Sequence, residues 1–84
     1  MPETFAVSEK LSSLTIEDLR FFARIYEELS LSSAALRCGI SLSRASRILK
    51  KLRETFDDKL FLRSMPELIA TDHAAMLYPK VIDL

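Results

Sequence analysis

The chain has 84 residues, of which 49% are apolar, with one glycine and no net charge. A chain of this size forms one small domain, and this composition favours a mostly helical fold over disorder. No apolar run approaches the roughly 20 residues that a membrane span needs. The start lacks the basic and apolar regions of a secretory signal. Together with the lone Cys38, which suits a reducing compartment, these features predict a cytoplasmic protein.

The charges are unevenly distributed along the chain. Residues 1–28 and residues 54–84 each hold six acids and three bases, whereas residues 29–53 hold six bases and no acid. Salt screens charges beyond about 8–10 Å, so a polyanion in contact responds to a local patch rather than to the net charge. The pattern therefore indicates a basic surface in the middle of the chain. Its bases are Arg37, Arg44, Arg47, Lys50, Lys51 and Arg53.

The first predicted helix follows an irregular segment. Residues 1–14 lack helical periodicity and are predicted to form a loose N-terminal arm. Thr15 and Asp18 have the spacing of a capping box, in which each residue bonds the backbone N–H of the other. Apolar residues then recur at three- and four-residue steps as far as Leu29, which predicts a helix with one buried face.

A short second helix is predicted over about residues 33–38, capped by Ser32 or Ser33. Gly39 follows it, and glycine adopts the left-handed conformation of a helix end without steric cost. Ile40 is expected to return to the core. This helix and the next would then be joined by a tight turn.

The third helix is predicted to begin at a cap on Ser41 or Ser43 and to end near Phe56. At about 100° per residue its apolar side chains fall on one side and its polar and basic side chains on the other. Its early polar residues lie where a recognition helix meets base edges. The apolar side comprises Ala45, Ile48, Leu49 and Leu52.

The rest of the chain predicts a β-hairpin and a last helix. Asp57 and Asp58 end the third helix and are expected to stay solvated. Pro79 should kink or interrupt the last helix. The expected segments are a strand over residues 59–63, a turn over 64–67, a strand over 68–70 and a helix over 72–84.

The spacing in the middle of the chain fits a helix-turn-helix. That motif has a small residue in its first helix, a glycine four positions later, and apolar residues ten and thirteen positions after the small one. Ala35, Gly39, Ala45 and Ile48 occupy these places, and the basic face lies on the second helix of the pair, as DNA reading requires.

Residues 15–82 resemble the N-terminal winged helix-turn-helix of LysR-type transcriptional regulators. The motifs that carry the resemblance are Leu19-Arg20-Phe21-Phe22, Ser30-Leu31-Ser32-Ser33-Ala34-Ala35, Ile40-Ser41 through Ser46-Arg47, Leu60-Phe61-Leu62-Arg63, and Thr71-x-x-Ala74-x-x-Leu77-x-Pro79. The resemblance implies a mainly α fold with a three-helix core, a two-stranded β-wing and a C-terminal linker and dimerisation helix. It places the winged domain at residues 15–71 and the linker helix at 72–84. It also implies an effector-binding domain in a longer native chain, of which this sequence would be a fragment.

The resemblance nominates Leu42, Ser43, Ser46 and Arg47 as facing the major groove of double-stranded DNA, and Ser32, Ser33 and Arg63 as contacting its backbone. Arg44 belongs to the same groove face, and Lys50, Lys51 and Arg53 are expected to touch phosphates or stay solvated. Arg47 could pair with guanine or hold a phosphate. The sequence departs from the family at Leu42-Ser43, where Gln-Pro is frequent, and at the wing tip, where Glu67 predicts a weak wing contact.

The last helix is apolar around most of its circumference, so one side should remain for a partner. We expect a homodimer through this helix, with packing against the first helix as the alternative. The residues assigned to the dimer are Ala74, Leu77, Tyr78, Val81 and Ile82.

No grouping of residues predicts catalysis, a metal site or a cofactor. Cys38 is expected to be a small core residue on the inner side of the second helix. His73 has no second histidine or cysteine with which to share a metal and is expected to be exposed. The sequence thus predicts a DNA-binding regulator that is not an enzyme. The alternatives are a winged helix that docks an acidic protein, a different winged-helix family, or a complete stand-alone regulator.

Overall fold

Four helices and a two-stranded sheet follow one another in the computed structural model, which describes residues 14–84. The predicted arm at residues 1–14 lies outside the described residues, apart from its last position. The elements are α1 (Ile16–Glu28), α2 (Leu31–Cys38), α3 (Leu42–Phe56), β1 (Phe61–Leu62), β2 (Ile69–Ala70) and α4 (Asp72–Ile82). The predicted winged helix-turn-helix fold is therefore confirmed.

Each helix begins at a hydroxyl side chain that accepts a hydrogen bond from the backbone of its first turn. Thr15 and Asp18 form the predicted capping box, with both hydrogen bonds at 3.0 Å. The cap of α2 was predicted wrongly: Ser30 Oγ accepts the N–H of Ser33 at 3.1 Å, so the helix starts before Ser32. Ser41 caps α3, as one of its two predicted alternatives, and Thr71 caps α4.

Gly39 ends α2 in the left-handed conformation, with φ of 67°. Its N–H is directed to the carbonyls of Ala35 and Leu36, and the next N–H, that of Ile40, donates to Ala35 O at 3.0 Å. Ile40 packs against the core as expected. The predicted tight turn between the two helices is thus confirmed.

The core lies where α1 meets α2, α3 and α4. Small buried residues on α2 and α3, including Ala35 and Ala45, allow these helices to pack closely. Phe22 of α1 contacts Phe61 of β1 at a ring-centroid distance of 5.6 Å, which joins the wing to the core. The fully buried large side chains are Phe22, Ile25, Leu52, Leu60 and Phe61.

The wing is shorter than predicted. Phe61 pairs with Ala70 and Leu62 with Ile69, in antiparallel register. The first strand does not begin at Lys59 because Leu60 has φ of 63° and lies at the centre of a tight turn. This turn brings Phe61 N to 2.6 Å from Lys59 O.

Three predictions about polar or reactive residues were wrong in part. Asp58 is not simply solvated, because its Oδ2 accepts hydrogen bonds from Leu60 N at 2.8 Å and Thr71 Oγ1 at 2.7 Å. Cys38 is exposed, since it is the last residue of α2 and lies beyond the edge of the core. The side chain of His73 is only 41% exposed, with Nδ1 at 3.9 Å from Asp58 Oδ1.

The last helix continues through Pro79 to Ile82, so the proline does not end it. It packs on α1, and there Tyr78 stacks on Tyr26 with centroids 4.3 Å apart. Tyr78 also donates its hydroxyl to Glu27 Oε2 at 2.5 Å, a hydrogen bond that raises the pKa of Tyr78. In the described part of the chain, no helix has the length and apolar character to cross a membrane.

Candidate nucleic-acid interface

Helix α3 presents two different faces. Ala45, Leu49 and Leu52 are buried against the rest of the domain, and Ile48 is partly buried beside them. The remaining surface of α3 is exposed from the first turn onward. Ser43, Arg47 and Lys50 lie opposite the buried side, Arg44 and Ser46 lie on the two flanks, and Leu42 is exposed because it is the first residue of the helix. The prediction that Arg47 points outward from a helix with an apolar inner face is confirmed.

The start of α3 lies at the surface because of its cap and its turn. Ser41 Oγ accepts the N–H of Arg44 at 3.1 Å, which satisfies one backbone donor of the first turn. Leu42, the first residue of the helix, is 54% exposed although it is apolar. The first two turns of α3 are therefore available to a ligand.

The bases of residues 29–53 divide into two groups. Three of them have partners within the domain. Lys51 Nζ lies 2.8 Å from Asp18 Oδ2, and Arg37 Nε lies 3.4 Å from Glu28 Oε2. Arg53 donates through Nε to Lys59 O at 2.7 Å and through Nη2 to Phe61 O at 2.8 Å.

The other group comprises Arg44, Arg47 and Lys50, which are exposed on α3, with Arg47 and Lys50 opposite its buried side and Arg44 on the flank that also carries Lys51. Within residues 14–84 no acidic side chain forms an ion pair with any of the three. Among the bases of residues 29–53, the three without an ion pair in the described residues thus all lie on the exposed surface of α3. We refer to these three residues as the basic triplet.

Asp18 remains ionised beside Lys51 although it is buried. Burial alone would raise the pKa of this carboxyl group, but hydrogen bonds from Lys51 and from Thr15 outweigh that effect and lower the pKa. The Lys51 side chain is 39% exposed and has Asp18 as a partner, so the expected phosphate contact of Lys51 stays a prediction. Sequence reasoning missed this pair because the two residues lie on different helices.

The other nominated backbone contacts lie at the surface or close to it. Ser32 is exposed in the first turn of α2, with its Oγ 3.2 Å from Ser30 Oγ, and Ser33 is half-buried. Arg63 is exposed directly after β1, and at the wing tip Met65 and Glu67 are exposed too. The wing therefore presents an acid as well as a base to its surroundings.

The residues assigned to a dimer mostly contact the chain's own core. Ala74 is fully buried, and Leu77, Tyr78 and Val81 pack against the core. Ile82 alone of the five is on the outer side, at 57% exposed. The other four residues form the inner stripe of α4, and for them the alternative prediction, that α4 packs on α1, is the one that the contacts match.

Residues 16–75 match the model of a family described as "Bacterial regulatory helix-turn-helix protein, lysR family". The match covers all three core helices, the wing and the start of α4. This chain belongs to the lysR family. The alternative of a different winged-helix family is therefore excluded.

Two proteins similar to this LysR-family chain are named as transcriptional regulators. It is 32% identical over 78 residues to the HTH-type transcriptional regulator SyrM 1 of Sinorhizobium fredii (strain NBRC 101917 / NGR234), a match that covers 89% of this chain and 23% of the relative. The probable transcriptional regulator PA0477 of Pseudomonas aeruginosa has a similar structure, with a TM-score of 0.81 and 32% identity over 88% of this chain and 25% of that one. The LysR-family chain thus spans about a quarter of the length of these relatives.

A solved complex is also similar to this LysR-family chain. The BenM DBD in its complex with catB site 1 DNA superposes with a TM-score of 0.77 at 26% identity, over 83% of this chain and 79% of that one. The similarity covers most of both chains. BenM therefore has a domain of this fold that has been solved in complex with DNA.

Proposed function

We propose that this domain binds double-stranded DNA sequence-specifically as the DNA-binding part of a transcriptional regulator. The observation that carries the proposal is the exposed basic triplet on α3, of which Arg47 and Lys50 lie opposite the buried side of the helix. Membership of the lysR family and the similarity to the BenM DBD–DNA complex support the same function. A regulator of chromosomal genes in a bacterium works in the cytoplasm, which is the location we propose.

In the proposed complex α3 enters the major groove with its first two turns. Arg47 is the candidate for a bidentate contact to guanine, which is worth about 1–3 kcal/mol of discrimination against the wrong base. Ser43 and Ser46 are short hydrogen-bonding side chains that could serve base edges or phosphates. Leu42 has no hydrogen-bonding group in its side chain and would instead contact a thymine methyl.

The contacts to the DNA backbone are proposed at three places around α3. Arg44 and Lys50 are exposed on α3, Ser32 and Ser33 lie in the first turn of α2, and Arg63 follows β1. Glu67 at the wing tip would repel phosphate, so the wing contact should be weak. Affinity should therefore depend mainly on α3 and be sensitive to salt.

The proposal is tested by substituting Arg47 and Lys50 separately with alanine. Sites selected by the wild-type chain from a random duplex pool supply the specific ligand. We expect Arg47→Ala to lose preference among bases at one position of each half-site. Lys50→Ala should weaken binding to all sequences alike and reduce the slope of log affinity against log salt by about 0.9, as expected for one lost phosphate contact. An Arg47→Ala variant with unchanged site preference and affinity would contradict the placement of α3 in the groove.

A protein-docking role is the second candidate, favoured by the exposed Glu67 at the wing tip and by the absence of net charge. In that case the basic triplet would bind an acidic protein surface. A gel shift with random duplex at low salt separates the two functions, because a docking module gives no retarded band.

We further propose that the native regulator is a homodimer that reads two half-sites about one DNA turn apart. The inner stripe of α4 is occupied within the chain, so the outer stripe is the candidate dimer surface. It consists of Ala75, Met76, Pro79 and Ile82, all exposed. An effector-binding domain remains a proposal, supported by the greater length of the relatives.

A further inference from the structure

Lys51 belongs to α3, but its charge is directed at α1. The ammonium lies 2.8 Å from Asp18 Oδ2, and the Asp18 side chain is only 9% exposed. Arg44 and Arg47, earlier on the same helix, are exposed. The pair thus connects the helix that would read DNA to a buried acid on its neighbour.

We propose that Lys51 is a positioning residue for DNA recognition, which fixes the rotation of α3 about its own axis through its ion pair with Asp18. This inference rests on the proposed DNA binding. It assigns to Lys51 no contact with phosphate. Its effect on recognition is through Arg47 and the other side chains that α3 presents to the groove.

The Asp18 carboxylate is a fixed anchor for such a contact. It accepts the backbone N–H of Thr15 at 3.0 Å, and Asp18 N donates to Thr15 Oγ1 at 3.0 Å, so the capping box holds the side chain in place. Removing one partner of a buried ion pair leaves an uncompensated charge, which is costly. The Asp18 carboxylate, with its side chain 9% exposed, therefore needs a cation beside it, and Lys51, with its side chain 39% exposed, supplies that charge.

Contacts on both flanks of α3 oppose its rotation. Lys51 holds one flank to α1, and Arg53 holds the other flank to the backbone of the wing at Lys59 and Phe61. The inner face sets the rotation first, because Ala45, Leu49 and Leu52 are close-packed in the core, and the two polar contacts restrain the rotation that this packing leaves. Arg47 and Lys50 lie between the two flanks, and Arg44 lies on the same flank as Lys51.

The positioning role and a phosphate contact predict different salt dependence. A lysine that binds phosphate releases a counterion, so its loss reduces the salt slope by about 0.9 for every DNA sequence. Lys51 is already paired with a carboxylate, so its loss should leave the slope unchanged. Only the preferred site, which needs α3 correctly oriented, should be bound more weakly.

The experiment compares Lys51→Met with Lys50→Met in the 84-residue chain. Lys50 is the matched control, because it is the adjacent lysine on α3 and is exposed. We expect Lys51→Met to weaken binding to the preferred site about tenfold, a size typical of coupled neighbouring residues, with random-duplex affinity and salt slope unchanged. Lys50→Met should reduce the slope for both duplexes. A reduced slope for Lys51→Met, with equal weakening on both duplexes, would overturn the inference.

Asp18→Asn tests the same pair from α1. Asparagine can still accept the Thr15 N–H, so the cap is retained while the charge is lost. We expect the same loss of preferred-site affinity as in Lys51→Met, and no further loss in the double variant. If Lys51 were instead a phosphate contact restrained by Asp18, this substitution would tighten binding to both duplexes, and the inference would be wrong.

Folding and function are separated by two further measurements. Lys51→Arg should keep the ion pair and wild-type selectivity, which identifies the role even if Lys51→Met does not fold. Residual dipolar couplings of the wild type and Asp18→Asn report the orientation of α3 relative to α1. An unchanged orientation of α3 in Asp18→Asn overturns the inference. A wild-type chain that binds no duplex refutes the proposed function instead, and the dipolar couplings then still decide whether the ion pair orients α3.

Discussion

Three helices of this domain end on a residue in the left-handed conformation, and only one of these residues is glycine. Leu29 follows α1 with φ of 52°, Gly39 follows α2 with 67°, and Asp57 follows α3 with 50°. The geometry satisfies backbone groups at the helix ends, since the N–H of each residue bonds a carbonyl of the last turn. A residue with a Cβ adopts it at a cost of about 1–2 kcal/mol.

Replacing Gly39 with alanine should therefore destabilise the domain through its backbone alone. A Cβ built at Gly39 meets no atom within 4 Å, so no steric clash adds to the conformational cost. We expect a loss of about 1 kcal/mol, which lowers the Tm of a small domain by about 4–8 °C. Thermal denaturation followed by circular dichroism measures it.

The control for Gly39→Ala is the reverse change at the end of α3. Asp57 is exposed and has the same backbone conformation. In Asp57→Gly the relief of strain opposes the added entropy of the unfolded chain, so this change should lower the Tm by less than Gly39→Ala does. An unchanged Tm in Gly39→Ala would show that conformational freedom is not the reason for glycine at this position.

At the scale of elements, the wing is attached to α3 by polar groups on both sides of Leu60. Arg53 donates to the carbonyls of Lys59 and Phe61. Asp58 accepts from the N–H of Leu60 and from the hydroxyl of Thr71, whose Oγ1 also caps α4. One carboxylate thus links the end of α3, the start of the wing and the start of α4.

The hydrogen bond from Thr71, followed by that from Leu60, lowers the pKa of Asp58. A carboxyl group whose pKa is lowered in the folded state stabilises the fold at pH values above its ordinary pKa of about 3.9. This stabilisation is lost as the pH falls through the lowered pKa. We expect the amide proton resonance of Leu60 to move over that acidic range in an NMR titration. Asp58→Asn should remove the transition, and a midpoint above the ordinary value would contradict the described contacts.

The helices could be predicted from sequence because their signals are local. The Thr15 capping box, the turn at Gly39 and the apolar spacing of α3 each lie within a few neighbouring residues. The partners of Lys51, Arg53 and Asp58 could not be predicted from sequence, because these contacts form between different elements. Cys38 was misplaced for a similar reason: its helical spacing fits the core, but the core ends before the last residue of α2.

At the scale of the whole molecule, α4 has two apolar stripes with different neighbours. Ala74, Leu77, Tyr78 and Val81 recur at three- and four-residue steps and face the domain's own core. The outer stripe includes Met76, which is 64% exposed, and Ile82, which is 57% exposed. As the sequence predicted, the domain covers only one side of this helix. Four of the five residues that were assigned to the dimer, however, lie on the covered side.

The proposed dimer should therefore depend on the outer stripe. We expect Ile82→Glu to shift the 84-residue chain toward monomer in sedimentation equilibrium, because a two-fold interface brings the new carboxylate and its copy together in an apolar contact. Lys80→Glu, an exposed charge change on the same helix, is the control and should have a smaller effect. The Tm extrapolated to low concentration should change little in Ile82→Glu, since Ile82 is 57% exposed and does not belong to the core cluster. An Ile82→Glu chain that dimerises as well as the wild type would mean that another surface holds the two copies together.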